Sequence, residues 1–177
     1  MMIPAMLTTV PEPLCTLLCG GDAAAEDIEL LKREGSMTRA LAERFGPVRV
    51  ERLREGLIVP HPGEARMLES NLRGGFWCRE IRLFAGGAER LEARTLVPPD
   101  AVQLRAALRR LGDRPLMDLL FLGDRLRPGV IRDLRCFGRT CKGHLLRLSR
   151  FRIHREPLLL LESLRGLDSG NRTTRSD

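Results

Sequence analysis

The sequence predicts an α+β domain in which a single antiparallel β-sheet carries helices packed on one face. Two pairs of apolar strands are joined by short turns. The first pair is Phe76 to Phe84 with Leu91 to Val97, and the second is Leu145 to Ile153 with Leu158 to Leu164. The helical patterns cluster in the sequence and do not alternate with the strands, which argues against a parallel sheet.

Size and composition suit one domain with a hydrophobic core, because the chain has 177 residues of which 43% are hydrophobic. We expect this domain to span residues 25–166, between an irregular N-terminal segment (residues 1–24) and a disordered polar tail (residues 167–177). No apolar run approaches the roughly 20 residues of a membrane span. The first 20 residues lack the positive region of a signal peptide, so we expect a cytoplasmic protein.

The first half of the chain begins with two predicted helices. Glu26 to Arg33 has helical periodicity. Ser36 is a good N-cap for a second helix that continues to Phe45, and Gly46 ends it. Val48 to Glu55 has strand character, and a loop rich in proline and glycine follows it.

The first hairpin turns at Gly86-Gly87. Asp100 is predicted to cap the next helix, with Gln103 completing a capping box, and Gly112 ends that helix. Pro115 to Phe121 is typical of a further short helix.

Val130 to Phe137 is predicted to be extended. The second hairpin is expected to turn around Glu156-Pro157. These elements complete the sheet.

The net charge of +7 is concentrated between Arg125 and Arg155, where ten Arg or Lys residues stand against one acid, Asp133. Such clustering attracts anions, nucleic acid among them. However, tyrosine is absent and aromatic residues make up 4%, so bases would find few stacking partners. We therefore expect no nucleic-acid partner.

The chain has five cysteines. An odd number of cysteines in a chain that is not small argues against a disulfide framework. Cys136, Cys141 and His144 lie near one another in the sequence, but no Cys-x-x-Cys spacing or fourth ligand accompanies them. We expect no metal site. The common glycine-rich phosphate loops are also absent from the sequence, so no nucleotide cofactor is indicated.

Two charged residues fall within apolar strands. Arg79 shares its face with Trp77 and Ile81, and Glu162 lies in a strand that is otherwise leucine-rich. A buried guanidinium needs an anion, and burial favours the neutral form of a carboxyl group, which could then exchange a proton. Two interpretations stay open: Arg79 and Glu162 pair with each other, or they belong to a ligand site.

Arg94 could add a second guanidinium to such a site, although its strand face is less decisively apolar. Two arginines would form a clamp for two carboxylates, because the guanidinium fork binds a carboxylate through two hydrogen bonds. The predicted ligand class is therefore a small diacid.

From about Leu30 to Leu164 the sequence resembles the chorismate pyruvate-lyases, the bacterial enzymes that make 4-hydroxybenzoate. The resemblance rests on short segments that occur in the family's order and spacing. The segments are Gly35-Ser36-Met37-Thr38, Arg54-Glu55-Gly56, Trp77-Cys78-Arg79-Glu80-Ile81, Ala93-Arg94-Thr95-Leu96-Val97-Pro98, Leu111-Gly112, Pro115-Leu116, Leu119-Leu120-Phe121, Arg147-Leu148-Ser149, and Pro157-Leu158-Leu159 ahead of Glu162.

The resemblance implies a cofactor-free lyase with a buried pocket, which converts chorismate to 4-hydroxybenzoate and pyruvate. It implies that Arg79 holds the ring carboxylate and Arg94 the enolpyruvyl carboxylate. It assigns proton transfer to Glu162 and places Met37 and Leu116 in the pocket wall. Ubiquinone or another 4-hydroxybenzoate derivative would be the end product, and we expect a monomer.

The sequence departs from the family pattern after Pro115-Leu116, where Met117 replaces the usual glycine. A non-catalytic domain of the same fold that senses small aromatic acids is the alternative function. Such domains normally follow a DNA-binding helix-turn-helix, and only about 25 residues precede the first helix here, too few for one.

Overall fold

A computed structural model describes residues 25–70, 74–140 and 143–165. The expected irregular segment and polar tail lie outside these residues. Across the described residues the main sheet has six strands in the order β1-β2-β3-β8-β7-β6, all antiparallel. The strands are β1 (Arg49–Ile58), β2 (Phe76–Ala85), β3 (Ala88–Val97), β6 (Val130–Arg139), β7 (Leu145–Ile153) and β8 (Glu156–Leu164).

Five helices and a small ribbon complete the described part of the chain. The ribbon pairs β4 (Phe121–Leu122) with β5 (Arg125–Leu126). The helices are α1 (Ala25–Lys32), α2 (Met37–Phe45), α3 (Pro62–Met67), α4 (Val102–Leu111) and α5 (Met117–Leu120). The predicted α+β class and the antiparallel sheet are confirmed.

The larger hydrophobic core lies on the sheet face that carries α1, α2, α4 and α5. There the apolar side of each helix packs on strand residues such as Trp77 and Leu160. This packing follows from apolar residues that repeat every second position in the strands and every 3.6 positions in the helices. A smaller core lies on the opposite face, where Ala65 and Leu68 pack on Phe76 and Leu159. Within the described residues, no helix is both long enough and apolar enough to cross a membrane.

Helix α3 covers this second face. The sequence predicts a loop at this position, and the structure corrects that prediction. His61 caps it: its ring accepts a hydrogen bond from the backbone of Gly63, and the Glu64 carboxylate accepts one from His61 N at 2.8 Å. A helix of six residues has too little periodicity to stand out in a sequence.

The cap of α4 differs from the prediction. Ala101, not Asp100, is the N-cap residue, and it makes no side-chain cap bond. The Glu156 carboxylate accepts hydrogen bonds from Gln103 N (3.2 Å) and Leu104 N (2.6 Å) instead. A tertiary contact thus satisfies the free N–H groups of this helix, which a local motif could not reveal.

The second hairpin turns at His154-Arg155, not at Glu156-Pro157. Both turn residues have positive φ, 50° and 74°, as a two-residue turn of the primed type requires. Strand β8 consequently begins at Glu156 and pairs with β7 from Ile153 onward. This register decides which side chain of β7 faces Glu162.

Candidate active site

A cavity lies between the helix-covered face of the sheet and the helices α2 and α5. Most of its wall is apolar. Its polar lining residues are Ser36, Thr38, Thr95, Arg147 and Glu162. Small-ligand sites have this composition, in which an apolar wall supplies affinity and a few polar groups set the orientation.

Glu162 is held by an ion pair at the cavity wall. It lies on β8 directly opposite Arg147 of β7, so both side chains project from the same face. The Nε and Nη2 atoms of Arg147 both lie 2.7 Å from Oε2 of Glu162. The two side chains are only 4% and 8% exposed. No hydrogen bond from the described residues reaches Oε1 of Glu162, and the residue lines the cavity.

Arg79 is buried on the cavity side of the sheet but does not line the cavity. Its Cα is paired with that of Thr95, a lining residue, and its side chain points to the same face. The residue is 2% exposed, and Nη2 donates to the carbonyl of Arg114 at 3.0 Å. Arg114 stands two residues before Leu116 of the cavity wall. Nε and Nη1 are buried without an acceptor in the described residues.

Burial lowers the pKa of the Arg79 guanidinium, and the charges of Glu55 and Asp113 oppose this shift. A guanidinium nevertheless stays protonated at any physiological pH. A buried cation with two unused donors is costly unless an anion reaches it. The structure therefore provides Arg79 with the properties of a carboxylate-binding residue.

Arg79 and Glu162 do not pair with each other, which was one of the two open interpretations. Each has a different partner, and β3 separates their strands in the sheet. Of the ligand-site residues expected from the sequence, Met37, Leu116 and Glu162 line the cavity, whereas Arg79 and Arg94 do not.

Arg94 lies on the opposite face of the sheet, contrary to the expected clamp with Arg79. Neighbouring residues of a strand alternate in direction, and its neighbour Thr95 faces the cavity. The Nε atom of Arg94 is 2.9 Å from Oε1 of Glu64, and Nη1 donates to Glu80. Although burial lowers the pKa of the Arg94 guanidinium, the carboxylates of Glu64 and Glu80 raise it overall.

Arg94 therefore anchors α3 to the sheet, and its removal should chiefly affect stability. In Arg94→Met two buried carboxylates lose their cation, so we expect the free energy of unfolding to fall by about 3 kcal/mol. Denaturant unfolding measures it. Arg82→Met is the control, because Arg82 pairs with Glu89 on the same face in a more exposed position. An equally small decrease in the free energy of unfolding in both variants would contradict the anchoring role.

Arg147 and Thr95 of the cavity wall were not predicted as site residues from the sequence. Met117 lines the cavity, and its Sδ accepts a hydrogen bond from Ser36 Oγ at 3.4 Å, so α5 reaches the first turn of α2. The alternation of β7 could have placed Arg147 on the inner face. Its pairing with Glu162 could be predicted only from the correct position of the hairpin turn.

The cysteines show no metal chemistry in the part of the chain that the structure describes. Burial raises the pKa of the Cys78 thiol to about 12 and also raises that of Cys136. Cys141, considered above with Cys136 and His144, lies outside the described residues. Within the described ranges, no three His, Cys, Asp or Glu side chains are grouped as metal ligands.

The inner face of the α+β fold thus carries an apolar cavity with a carboxylate in its wall, and a buried arginine that has no ion-pair partner among the described residues; proteins that bind small ligands have sites of this class. The family model described as chorismate lyase matches residues 23–164, and the chain belongs to this family. That range contains every site residue described above.

Curated relatives agree with this assignment. The "Chorismate pyruvate-lyase" of Erwinia tasmaniensis is 37% identical over 86% of this chain and 80% of its own length. The "Probable chorismate pyruvate-lyase" of Halorhodospira halophila is 41% identical over 62% of this chain, a match that spans 58% of that relative. Among solved structures, a possible transcriptional regulator, YydK of Bacillus subtilis, matches with a TM-score of 0.49 at 10% identity, over 67% and 57% of the two chains.

Proposed function

We propose that the protein is a lyase that converts chorismate to 4-hydroxybenzoate and pyruvate. The family and the names of its relatives support this activity. The observation that carries the proposal is the position of the Glu162 carboxylate in the wall of an apolar cavity. Arg147 holds Oε2 of this carboxylate, and no hydrogen bond from the described residues reaches Oε1.

The reaction breaks the ether bond between the ring and the enolpyruvyl group and removes a ring proton. Aromatisation of the ring makes it favourable, so the protein has to orient the substrate and manage one proton. Glu162 either protonates the departing ether oxygen or accepts the ring proton. Both roles need a carboxyl group that reaches the cavity.

Arg79 is proposed to bind the ring carboxylate, which substrate and product share. Its two unused donors and its place next to Thr95 support this role. Met37 and Leu116 would contact the ring from the α2 and α5 sides. Arg94 is left out of the proposed site, because its donors are directed to Glu64 and Glu80 on the other face.

The resemblance also supports ubiquinone or another 4-hydroxybenzoate derivative as the end product. We propose that the protein acts as a cytoplasmic monomer without a cofactor.

Purified protein incubated with chorismate and a chelator tests the activity. We expect 4-hydroxybenzoate and pyruvate in equal amounts, measured by chromatography, and no added metal is needed. Activity that vanishes with chelation and returns with zinc would contradict the cofactor-free reaction. Tight binding of 4-hydroxybenzoate without turnover would favour the non-catalytic acid-sensing domain instead.

A further inference from the structure

Arg147 is the most highly connected polar group of the cavity wall. Nε and Nη2 contact one oxygen of Glu162, and Nη1 donates to the carbonyl of Arg33 at 2.8 Å. All three nitrogens of the guanidinium are therefore used within the protein. A ligand would meet this arginine through the carboxylate that it holds.

The carbonyl of Arg33 belongs to the loop between α1 and α2, which leads directly to Ser36 and Met37 of the cavity wall. Two arginines of β6 hold the same loop. Arg135 Nη2 donates to Arg33 O at 3.0 Å, and Arg132 Nη1 donates to Glu34 O at 2.9 Å. Arg147 alone among these three also contacts Glu162.

We propose that Arg147 is a positioning residue for the lyase reaction. It fixes the Glu162 carboxylate by Oε2, so that Oε1 is presented to the ligand, and it joins this carboxylate to the loop that carries Ser36 and Met37. The inference rests on the proposed lyase function. It explains why an arginine stands in this wall although its three nitrogens already have partners within the protein.

Charge supports the same role. Besides Arg147 on β7, the charged groups that act on Glu162 are Arg132 and Arg135 on β6, and Glu34 partly neutralises these two. The cation in contact with the carboxylate stabilises its ionised form.

The test compares kcat and KM for chorismate in wild type, Arg147→Met and Arg152→Met. For Arg147→Met we expect kcat to fall about 30-fold while KM changes less than about threefold. Arg152 is the control because it pairs with Asp133 and Glu69 away from the cavity. Its variant should match wild type.

Arg147→Lys decides the question if Arg147→Met does not fold. Lysine keeps the charge but offers a single nitrogen, so it cannot reproduce the two contacts with Oε2 and the contact with Arg33 together. We expect kcat to be lowered about fivefold with KM nearly unchanged. Wild-type kcat in the lysine variant would contradict the positioning role.

A double variant shows whether Arg147 acts through Glu162. In the Glu162→Gln background, Arg147→Met should lower kcat by less than about twofold further, because the two changes remove one shared function. Full additivity, or a raised KM with unchanged kcat, would overturn the inference. A wild-type protein without turnover would refute the lyase function itself, whereas an active wild type with unaffected Arg147 variants would refute only this inference.

Discussion

Replacement of Glu162 by glutamine is expected to lower chorismate turnover by about 100-fold or more, because an amide cannot exchange a proton in the way a carboxyl group can. The glutamine keeps the shape of the side chain and an oxygen that can accept from Arg147. The protein should stay folded, and 4-hydroxybenzoate should still bind, because Arg79 holds its carboxylate. Turnover, product affinity and melting temperature measured on one preparation check these three results.

Glu92→Gln is the matched control for this experiment. Glu92 also forms a partly buried ion pair, with Arg165, but on the opposite face of the sheet. Its variant should keep wild-type turnover. If Glu162 only neutralised Arg147, its own variant would lose stability while each folded molecule kept nearly normal turnover, and the catalytic role would be excluded.

Arg79→Met should weaken 4-hydroxybenzoate binding by about 30-fold to 1000-fold, which corresponds to about 2–4 kcal/mol for a buried carboxylate without its cation. The free energy of unfolding of the ligand-free Arg79→Met variant should rise or stay unchanged. In the ligand-free protein Arg79 is a buried cation with two unused donors, and methionine removes that cost. Calorimetry with the product and thermal unfolding measure the two effects.

Arg82→Met serves as the control on the same strand, since Arg82 lies on the other face beside Glu89. It should bind the product as wild type does. Equal affinity in wild type and Arg79→Met would remove Arg79 from the binding site. A large loss of stability in ligand-free Arg79→Met would show that the arginine is structural.

The sheet could be predicted from sequence because both hairpins combine β-branched or leucine-rich runs with turn residues. The exact position of the turn in the second hairpin could not be predicted from the sequence. A turn at Glu156-Pro157 would place Phe151 opposite Glu162, whereas the turn at His154-Arg155 places Arg147 there. Positive φ is uncommon for an arginine, so local preference does not mark His154-Arg155 as the turn.

The burial of Arg79 and Glu162 was predictable because the alternation of strand residues alone decides it, whereas the partners of buried charges depend on register and were not predictable. Arg79 and Arg94 are two conspicuous arginines on adjacent strands, but Arg79 pairs with Thr95, which turns Arg94 to the opposite face. The partner that neutralises Arg94 is Glu64 on α3. That helix is six residues long, and only tertiary contacts reveal it.

The position of bound 4-hydroxybenzoate tests the account most directly. In a crystal structure of the complex, we expect the carboxylate of the product within about 3 Å of Arg79 Nε or Nη1, and its hydroxyl within about 3 Å of Glu162 Oε1. The ring should lie in the cavity between the sheet and α2. A product molecule bound on the other face of the sheet, beside Arg94 and Glu64, would contradict the account.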